Sequence, residues 1–191
     1  MLGFPRLENG GGVAVLDDPD HEIAIVIRAQ NADEQAFTEL YSRHARYVAG
    51  VVYRLMGNDS DLDDVVQETF VDAADGIASL KEPRALRGWL VAIAVRRVHR
   101  VLARRRRRTL FGFQMMEVAA RSSDPNDRSR VDDLYEALDQ VPPDLRVPWI
   151  LHRVEQMNLP ETAAACGVSL ATVKRRIAEA QERIERRLGH E

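Results

Sequence analysis

The residues best suited to catalysis or metal binding are few and poorly placed. His21, His44, His99, His152 and His190 are scattered, without the spacing of a metal-ligand set. Each reads as a surface or helix residue. Cys166 is the only cysteine, which excludes an internal disulfide and a thiolate zinc site. It stands beside a glycine turn and reads as a small buried apolar group. Neither a glycine-rich phosphate loop nor a nucleophile motif accompanies these residues. No enzymatic activity, cofactor, metal or small-molecule substrate is therefore expected. The chemistry that remains is ionic.

The net charge is only −3, but the charges are segregated. Arg96, Arg100, Arg104 and Arg108 step at four along a helical stretch and make one basic edge. Arg97 and the run Arg104 to Arg108 add to it. Evenly spaced guanidinium groups suit the phosphates of a nucleic-acid strand. A disordered basic tail would share this composition. Just upstream, Lys81, Arg84, Arg87 and Trp89 surround an irregular connection, where basic and aromatic neighbours can hold an unstacked base. Core packing is the other reading of Trp89. The opposite sign gathers between Asp59 and Glu82. Asp64, Glu68, Asp72 and Asp75 step at three and four and share one helix face. On composition a solvated acidic face is the default. A docking surface for a basic partner is the functional alternative.

A second constellation lies near the C-terminus, in Leu159-Pro-Glu-Thr-Ala-Ala-Ala-Cys-Gly-Val-Ser-Leu-Ala-Thr-Val-Lys-Arg-Arg-Ile. Pro160 fits the first turn of a helix. Ala163 to Ala165 allow a close helix crossing. Gly167 supplies the left-handed corner, and Ser169 caps the helix that follows. Val168, Leu170, Val173, Ile177, Ala180, Ile184 and Leu188 form a buried stripe. Ala171, Thr172, Lys174, Arg175, Arg176 and Glu179 are left outside. Short and basic side chains at the start of the second helix of a helix-turn-helix would meet base edges and phosphates in a major groove. An ordinary helical hairpin with a solvated basic face is the alternative.

Helices must position these groups. The chain has 191 residues, 45% of them hydrophobic, enough for one medium domain or two small ones. Phe37, Leu40, Tyr41, Val48, Val51, Val52 and Leu55 mark a buried stripe on a helix from Glu34 to Leu55, with Asn31 and Glu34 as its capping box. Gly57-Asn58 ends it. Ser60 caps the next helix, which carries Asp61, Asp63 and Asp64 in its first turn, where the helix dipole favours acids. Leu62, Val65, Val66, Phe70 and Ala73 form its apolar side. Ala74 to Arg87 is irregular. A third helix runs from about Gly88, with Trp89, Leu90, Ile93, Ala94, Val98, Val101 and Leu102 as core. Ile23 to Ile27 reads as a short helix, although its β-branched residues also suit a strand. Thr109 to Arg130 carries loop chemistry and forms a linker, with Leu110, Phe111, Phe113, Met115 and Met116 apolar enough for part of it to dock. Helical segments follow at Val131–Gln140, Pro143–Glu155, Pro160–Cys166 and Leu170–Leu188. The expected fold is all-α: two small helical lobes joined by a flexible linker, the second a helix-turn-helix. No apolar run reaches the length of a membrane span, and residues 1–20 lack the order of a secretion signal and read as a mobile tail. A soluble, cytoplasmic protein is expected.

In this order the motifs resemble the extracytoplasmic-function group of bacterial sigma factors, within the sigma-70 superfamily. Ala36-Phe37-Thr38-Glu39-Leu40-Tyr41 looks like the family's opening helix. Asp61 to Phe70 is similar to its polymerase-binding helix, and Trp89-Leu90-Val91-Ala92-Ile93-Ala94 to the start of its promoter-melting helix. Leu138 to Leu188 resembles its second lobe. The resemblance covers Ile23 to Leu188 and implies a function. Region 2 (21–108) would bind core RNA polymerase through Asp61, Asp63, Asp64, Gln67, Glu68 and Phe70, on the β′ clamp helices. It would capture the melted minus-ten strand through Lys81, Arg84, Arg87, Trp89, Arg96, Arg97, Arg100 and Arg104, with one flipped base in the Ile77 to Arg87 loop. Region 4 (131–191) would read the minus-thirty-five duplex through Ser169, Ala171, Thr172, Lys174, Arg175, Arg176 and Glu179, and meet the β flap. The linker (109–130) would lie in the polymerase cleft near the RNA exit path. An anti-sigma factor, often membrane-bound in this group, is the expected antagonist.

Three departures from the family pattern carry expectations. Arg96 and Arg100 stand where Asn and Asp are frequent, which adds positive charge and implies less base-specific melting contacts. Pro148 should kink or delay a helix. Thr162 and Cys166 replace aliphatic residues and should weaken packing of the helix-turn-helix. A conventional helix-turn-helix regulator would share the C-terminal motif without needing the acidic and basic helices of the first lobe. An adaptor that mimics a sigma lobe would not need a basic recognition helix.

Overall fold

The computed structural model describes residues 19–57, 61–110, 134, 137–138 and 140–189, and among them every regular element is helical. Four helices form the first lobe: α1 (Pro19–Gln30), α2 (Glu34–Met56), α3 (Leu62–Gly76) and α4 (Leu86–Leu110). Two short 3-10 turns, Ile77–Ser79 and Pro83–Ala85, join α3 to α4. The second lobe contains α5 (Pro143–Arg153), α6 (Leu159–Cys166) and α7 (Leu170–Leu188). Leu134, Ala137 and Leu138 are helical as well. Most of the expected linker, the cap Ser60 and all of residues 1–18 fall outside the described residues.

The first lobe is organised around α2. Phe37, Leu40, Tyr41, Val48, Val51, Val52 and Leu55 are all buried, as their spacing requires. Helices α1, α3 and α4 pack against α2, and α3 packs along α4. Phe70 of α3 is almost fully buried and meets Tyr41 edge-on, with ring centroids 4.9 Å apart.

Several expected boundaries shift, each for a local reason. The cap of α2 is Asp33, whose carboxylate accepts from the Ala36 amide at 3.0 Å. Asn31 instead serves the preceding helix, donating to the Ile27 carbonyl at 2.8 Å. Ala32, at φ 62°, turns the chain between the two helices. The β-branched run Ile23 to Ile27 lies inside a full helix, because Ile25 and Val26 are buried where α1 packs on α2. Helix α3 extends to Gly76 and α4 begins at Leu86, so the irregular connection is shorter than expected. The arginine helix runs on through Thr109 and Leu110. Pro148 does not delay α5, which runs unbroken from Pro143 to Arg153. The N–H it lacks would have met the carbonyl of Asp144, in the exposed first turn, and its ring is buried.

The second lobe is a helix-turn-helix resting on α5. Asn158 and Glu161 make the capping box of α6, with bonds of 2.8 and 2.9 Å. Gly167 is left-handed at φ 65° and its amide closes the helix end. Ser169 caps α7 by accepting from the Thr172 amide. A Cβ at Gly167 would meet nothing within 4 Å, so the demand for glycine is conformational. Gly167→Ala is expected to destabilise this lobe by about 1 kcal/mol. Urea denaturation followed by circular dichroism would measure it.

The lobes touch. Helix α4 packs against both α5 and α6, and α2 against α5, so the apolar core is continuous through the molecule.

Candidate nucleic-acid and protein-docking surfaces

Helix α4 turns its arginines in different directions. At 3.6 residues per turn, Arg96 and Arg100 lie on the side away from the core, and both are exposed. Arg104 continues that edge, also exposed. Arg97 stands about 60° round the helix from Arg100, on the flank turned toward α3. Its guanidinium reaches across to α3, donating from Nε to Asp72 at 2.7 Å and from Nη1 to Glu68 at 2.8 Å, with a further bond to Asp72. The Arg97 bond holds the Asp72 carboxyl below its usual range, against the opposing effect of burial. Lower down, Arg105 donates to Asp61 at 3.0 Å and Arg104 comes within 3.7 Å of the same carboxylate.

The acidic helix and the basic helix are therefore partly each other's counterions. Glu68, Asp72 and Asp61 fix α3 to α4. Asp63, Asp64 and Gln67 are exposed, and among the described residues neither aspartate makes an ion pair. Phe70, expected at a partner surface, lies in the core, where it holds the acidic face in place.

The connection before α4 keeps Lys81, Arg84 and Arg87 exposed. The Arg87 guanidinium lies 5.8 Å from the centre of the Tyr47 ring. Trp89 is half-buried, and its ring covers Gly76, where a Cβ would stand 3.4 Å from the indole. The connection is pinned by a residue that sequence reasoning missed. Gln30, at the end of α1, donates to the carbonyls of Leu80 at 2.7 Å and Ile77 at 3.2 Å. A glutamine ending an amphipathic helix gives no sequence signal of such a long-range role.

On the second lobe, Ser169, Ala171, Lys174 and Arg175 are exposed at the start of α7, and Thr172, Arg176 and Glu179 are half-buried. The Ser169 and Thr172 hydroxyls lie 2.9 Å apart. Arg176 approaches Asp144 at 3.9 Å. Trp149 of α5 donates its indole N–H to Gln181 of α7 at 2.7 Å and fixes the angle of this helix. Thr162 is buried, but its hydroxyl donates to the Asn158 carbonyl at 2.9 Å, so its polarity is compensated. Burial raises the Cys166 thiol to about 11, consistent with an inert packing group.

Among the described residues no cluster of histidine, cysteine and acidic side chains could hold a metal, and no helix is long and apolar enough to cross a membrane. The chemical inventory is thus an exposed acidic patch on α3, an exposed basic edge on α4 with its adjoining turn, and a basic front edge on a helix-turn-helix.

Comparison with known proteins matches two family models in order along the chain. Residues 40–108 match the family model "Sigma-70 region 2", and residues 132–184 match "Sigma-70, region 4". The ECF RNA polymerase sigma factor SigE of Mycolicibacterium smegmatis is 29% identical over 190 residues, covering 96% of this chain and 74% of that protein. The RNA polymerase sigma factor NccH of Alcaligenes xylosoxydans xylosoxydans is 29% identical over 177 residues, covering 88% of this chain and 95% of that one. Among solved structures, CnrH in complex with the cytosolic domain of CnrY superposes with a TM-score of 0.61 at 27% identity, over 88% of this chain and 97% of that one.

Proposed function

Because the chain belongs to the extracytoplasmic-function group of the sigma-70 family and is a sigma factor that directs transcription initiation, not an enzyme, we propose a division of promoter work among its three charged surfaces. The patch of Asp63, Asp64 and Gln67, with Asp61 and Glu68 at its margin, docks on the basic clamp helices of the polymerase β′ subunit. Phe70 supports that face from below. Arg96, Arg100 and Arg104 track the phosphates of the melted minus-ten strand, while Lys81, Arg84, Arg87 and Trp89 frame the turn that receives a flipped base. Arg97 serves this site indirectly by holding α3 against α4. Ser169, Ala171, Thr172, Lys174, Arg175, Arg176 and Glu179 face the minus-thirty-five duplex, and the second lobe meets the β flap.

The observation that carries this reading is the sorting of charge on α4. Arg97, which faces α3, is neutralised by Glu68 and Asp72, whereas Arg96 and Arg100 are exposed and make no ion pair among the described residues, and Arg104 only approaches Asp61 at 3.7 Å. The acids on α3 divide by partner: Glu68 and Asp72 hold Arg97, whereas Asp63 and Asp64 are exposed and make no ion pair among the described residues. The expected place of action is the cytoplasm, with an anti-sigma factor as antagonist. The CnrH structure with CnrY is a relative's example of such a complex.

Arg175→Ala is the direct test of the second lobe. In competitive transcription from a promoter library with core polymerase, it is expected to lose roughly tenfold or more in discrimination at one position of the upstream element. Core binding should stay unchanged. Unaltered upstream selection would remove Arg175 from the recognition surface.

A further inference from the structure

The connection before α4 is held by a residue far from it in sequence. Between its two 3-10 turns the backbone is extended, at φ −70° and ψ 106° for Leu80 and φ −120° and ψ 104° for Glu82. Extended backbone outside a sheet has no ladder of hydrogen bonds to keep its shape. The bonds formed within the connection are short-range. The Leu80 amide donates to the Ile77 carbonyl at 3.1 Å, and the Ala85 amide to the Glu82 carbonyl at 2.9 Å. The Ser79 hydroxyl donates to the Gly76 carbonyl at 2.7 Å. Each stays within one turn and leaves the first turn untied to the second. Pro83 restricts Glu82 to its extended state, which presets the second half of the connection.

Gln30 fixes the first half. Its side-chain amide donates to the carbonyls of Leu80 and Ile77, 50 and 47 residues away along the chain. Such an amide has two N–H donors, and these two bonds use both. The position of Gln30 is itself set by the end of α1. The Asn31 and Asp33 amides close on the Arg28 carbonyl at 3.0 and 3.2 Å, and Arg28 pairs with Asp33, the cap of α2. The amide is therefore presented from a fixed helix end, and α1 packs against both 3-10 turns. The connection it holds has two sides. Ile77, Leu80 and Leu86 are buried, whereas Ser79, Lys81, Glu82, Arg84 and Arg87 are exposed. Anchoring the Leu80 carbonyl sets the direction in which Lys81 leaves the core.

We propose that Gln30 is a positioning residue for base capture: it holds the Ile77–Leu80 backbone so that the exposed rim from Lys81 to Arg87 is preformed for an unstacked base beside Trp89. The inference rests on the role proposed above for this turn. A preformed receptor spends no binding free energy on ordering itself, so loss of the two bonds weakens the hold on the base. The phosphate contacts of Arg96, Arg100 and Arg104 sit on α4, whose own hydrogen bonds keep its shape.

The test is an abasic scan of the full chain assembled with core polymerase. The probe is a single-stranded oligonucleotide spanning the melted segment of a promoter that this holoenzyme opens, with each nucleotide in turn made abasic. The parent is expected to lose roughly tenfold or more in affinity at the position that enters the turn, the scale of one base stacking on protein side chains. Gln30→Met keeps the length of the side chain and removes the donor. It should bind the intact strand roughly tenfold more weakly and show almost no abasic cost at that one position. Costs at the other positions, and affinity for core polymerase, should match the parent. Gln30→Glu, which sets a carboxylate against both carbonyls, should lose at least as much. Each cost is a ratio within one protein sample, so a general loss of folding cannot erase it at a single position. A cost retained in full by both variants would overturn the role of Gln30 and leave the turn as the base receptor. Equal weakening at every position would overturn it too, by reducing Gln30 to ordinary packing. A parent with no position-dependent cost would overturn the receptor itself, and the inference with it.

Discussion

Asp64→Lys is expected to weaken association with core RNA polymerase by roughly thirtyfold or more, the scale of losing a desolvated interfacial charge contact and gaining a like charge in its place. Asp64 is exposed in the first turn of α3 and makes no ion pair among the described residues. Its removal leaves the packing of the lobe intact. The substitution also loses a favourable interaction with the helix dipole, worth about 0.3–1 kcal/mol. The melting transition of the free protein should therefore move little while binding falls sharply. Titration of labelled chain with core polymerase at two salt concentrations checks both parts. Glu68→Gln makes an instructive companion. Glu68 holds Arg97 through a bond of 2.8 Å, while Arg97 keeps Asp72 as its other partner. Its neutralisation should therefore cost less in binding than reversal at Asp64. Undiminished binding by Asp64→Lys would detach the acidic face of α3 from polymerase docking.

The largest effect on stability is expected from Phe70→Ala. Phe70 is among the largest fully buried side chains, and its ring meets Tyr41 edge-on. Truncation removes the transfer free energy of the ring, leaves a cavity between α2 and α3, and breaks the aromatic contact. The sum is about 3–5 kcal/mol. Chemical denaturation of the full chain measures it. Affinity for polymerase, corrected for the folded fraction, should change only a few-fold. An unaltered denaturation midpoint combined with lost docking would show instead that the ring itself touches the polymerase.

These two residues illustrate what the sequence discloses and what it conceals. Phe70 stands in the motif that resembles a polymerase-binding helix, and resemblance alone groups it with Asp64. Burial separates them. The sequence reading added Arg97 to the basic edge beside Arg96, but one residue is 100° of helix, and that rotation carries Arg97 to the α3 side. The turn of the helix-turn-helix was legible because its signals, Gly167 and Ser169, act within a few residues of their own position. The capping box of Asn158 and Glu161 was missed, and Leu170 and Leu188, expected in the buried stripe, are exposed near the two ends of their helix. The start of α2 at Glu34 was legible but its cap was not, because two polar residues compete there. Asn31 closes α1 and Asp33 opens α2, a choice settled by the tight turn at Ala32.

Long-range partners left no trace in periodicity. Arg54 and Glu155 are 101 residues apart, and Arg146 lies 91 residues from the Leu55 carbonyl it meets. On the sequence Arg146 is one more arginine in a helix, and the expected picture of two bodies joined only by a tether follows from missing it. Val91 and Val95 were similarly absent from the expected core of α4, yet both are buried.

Run-off transcription with purified core polymerase tests the central claim most directly. Addition of the chain should convert core polymerase from random initiation to a defined start site on a subset of promoters, with permanganate-reactive thymines appearing at the melted minus-ten segment. A chain that bound duplex promoter DNA tightly by itself, and left both the start sites and the melting of the template by core polymerase unchanged, would contradict it.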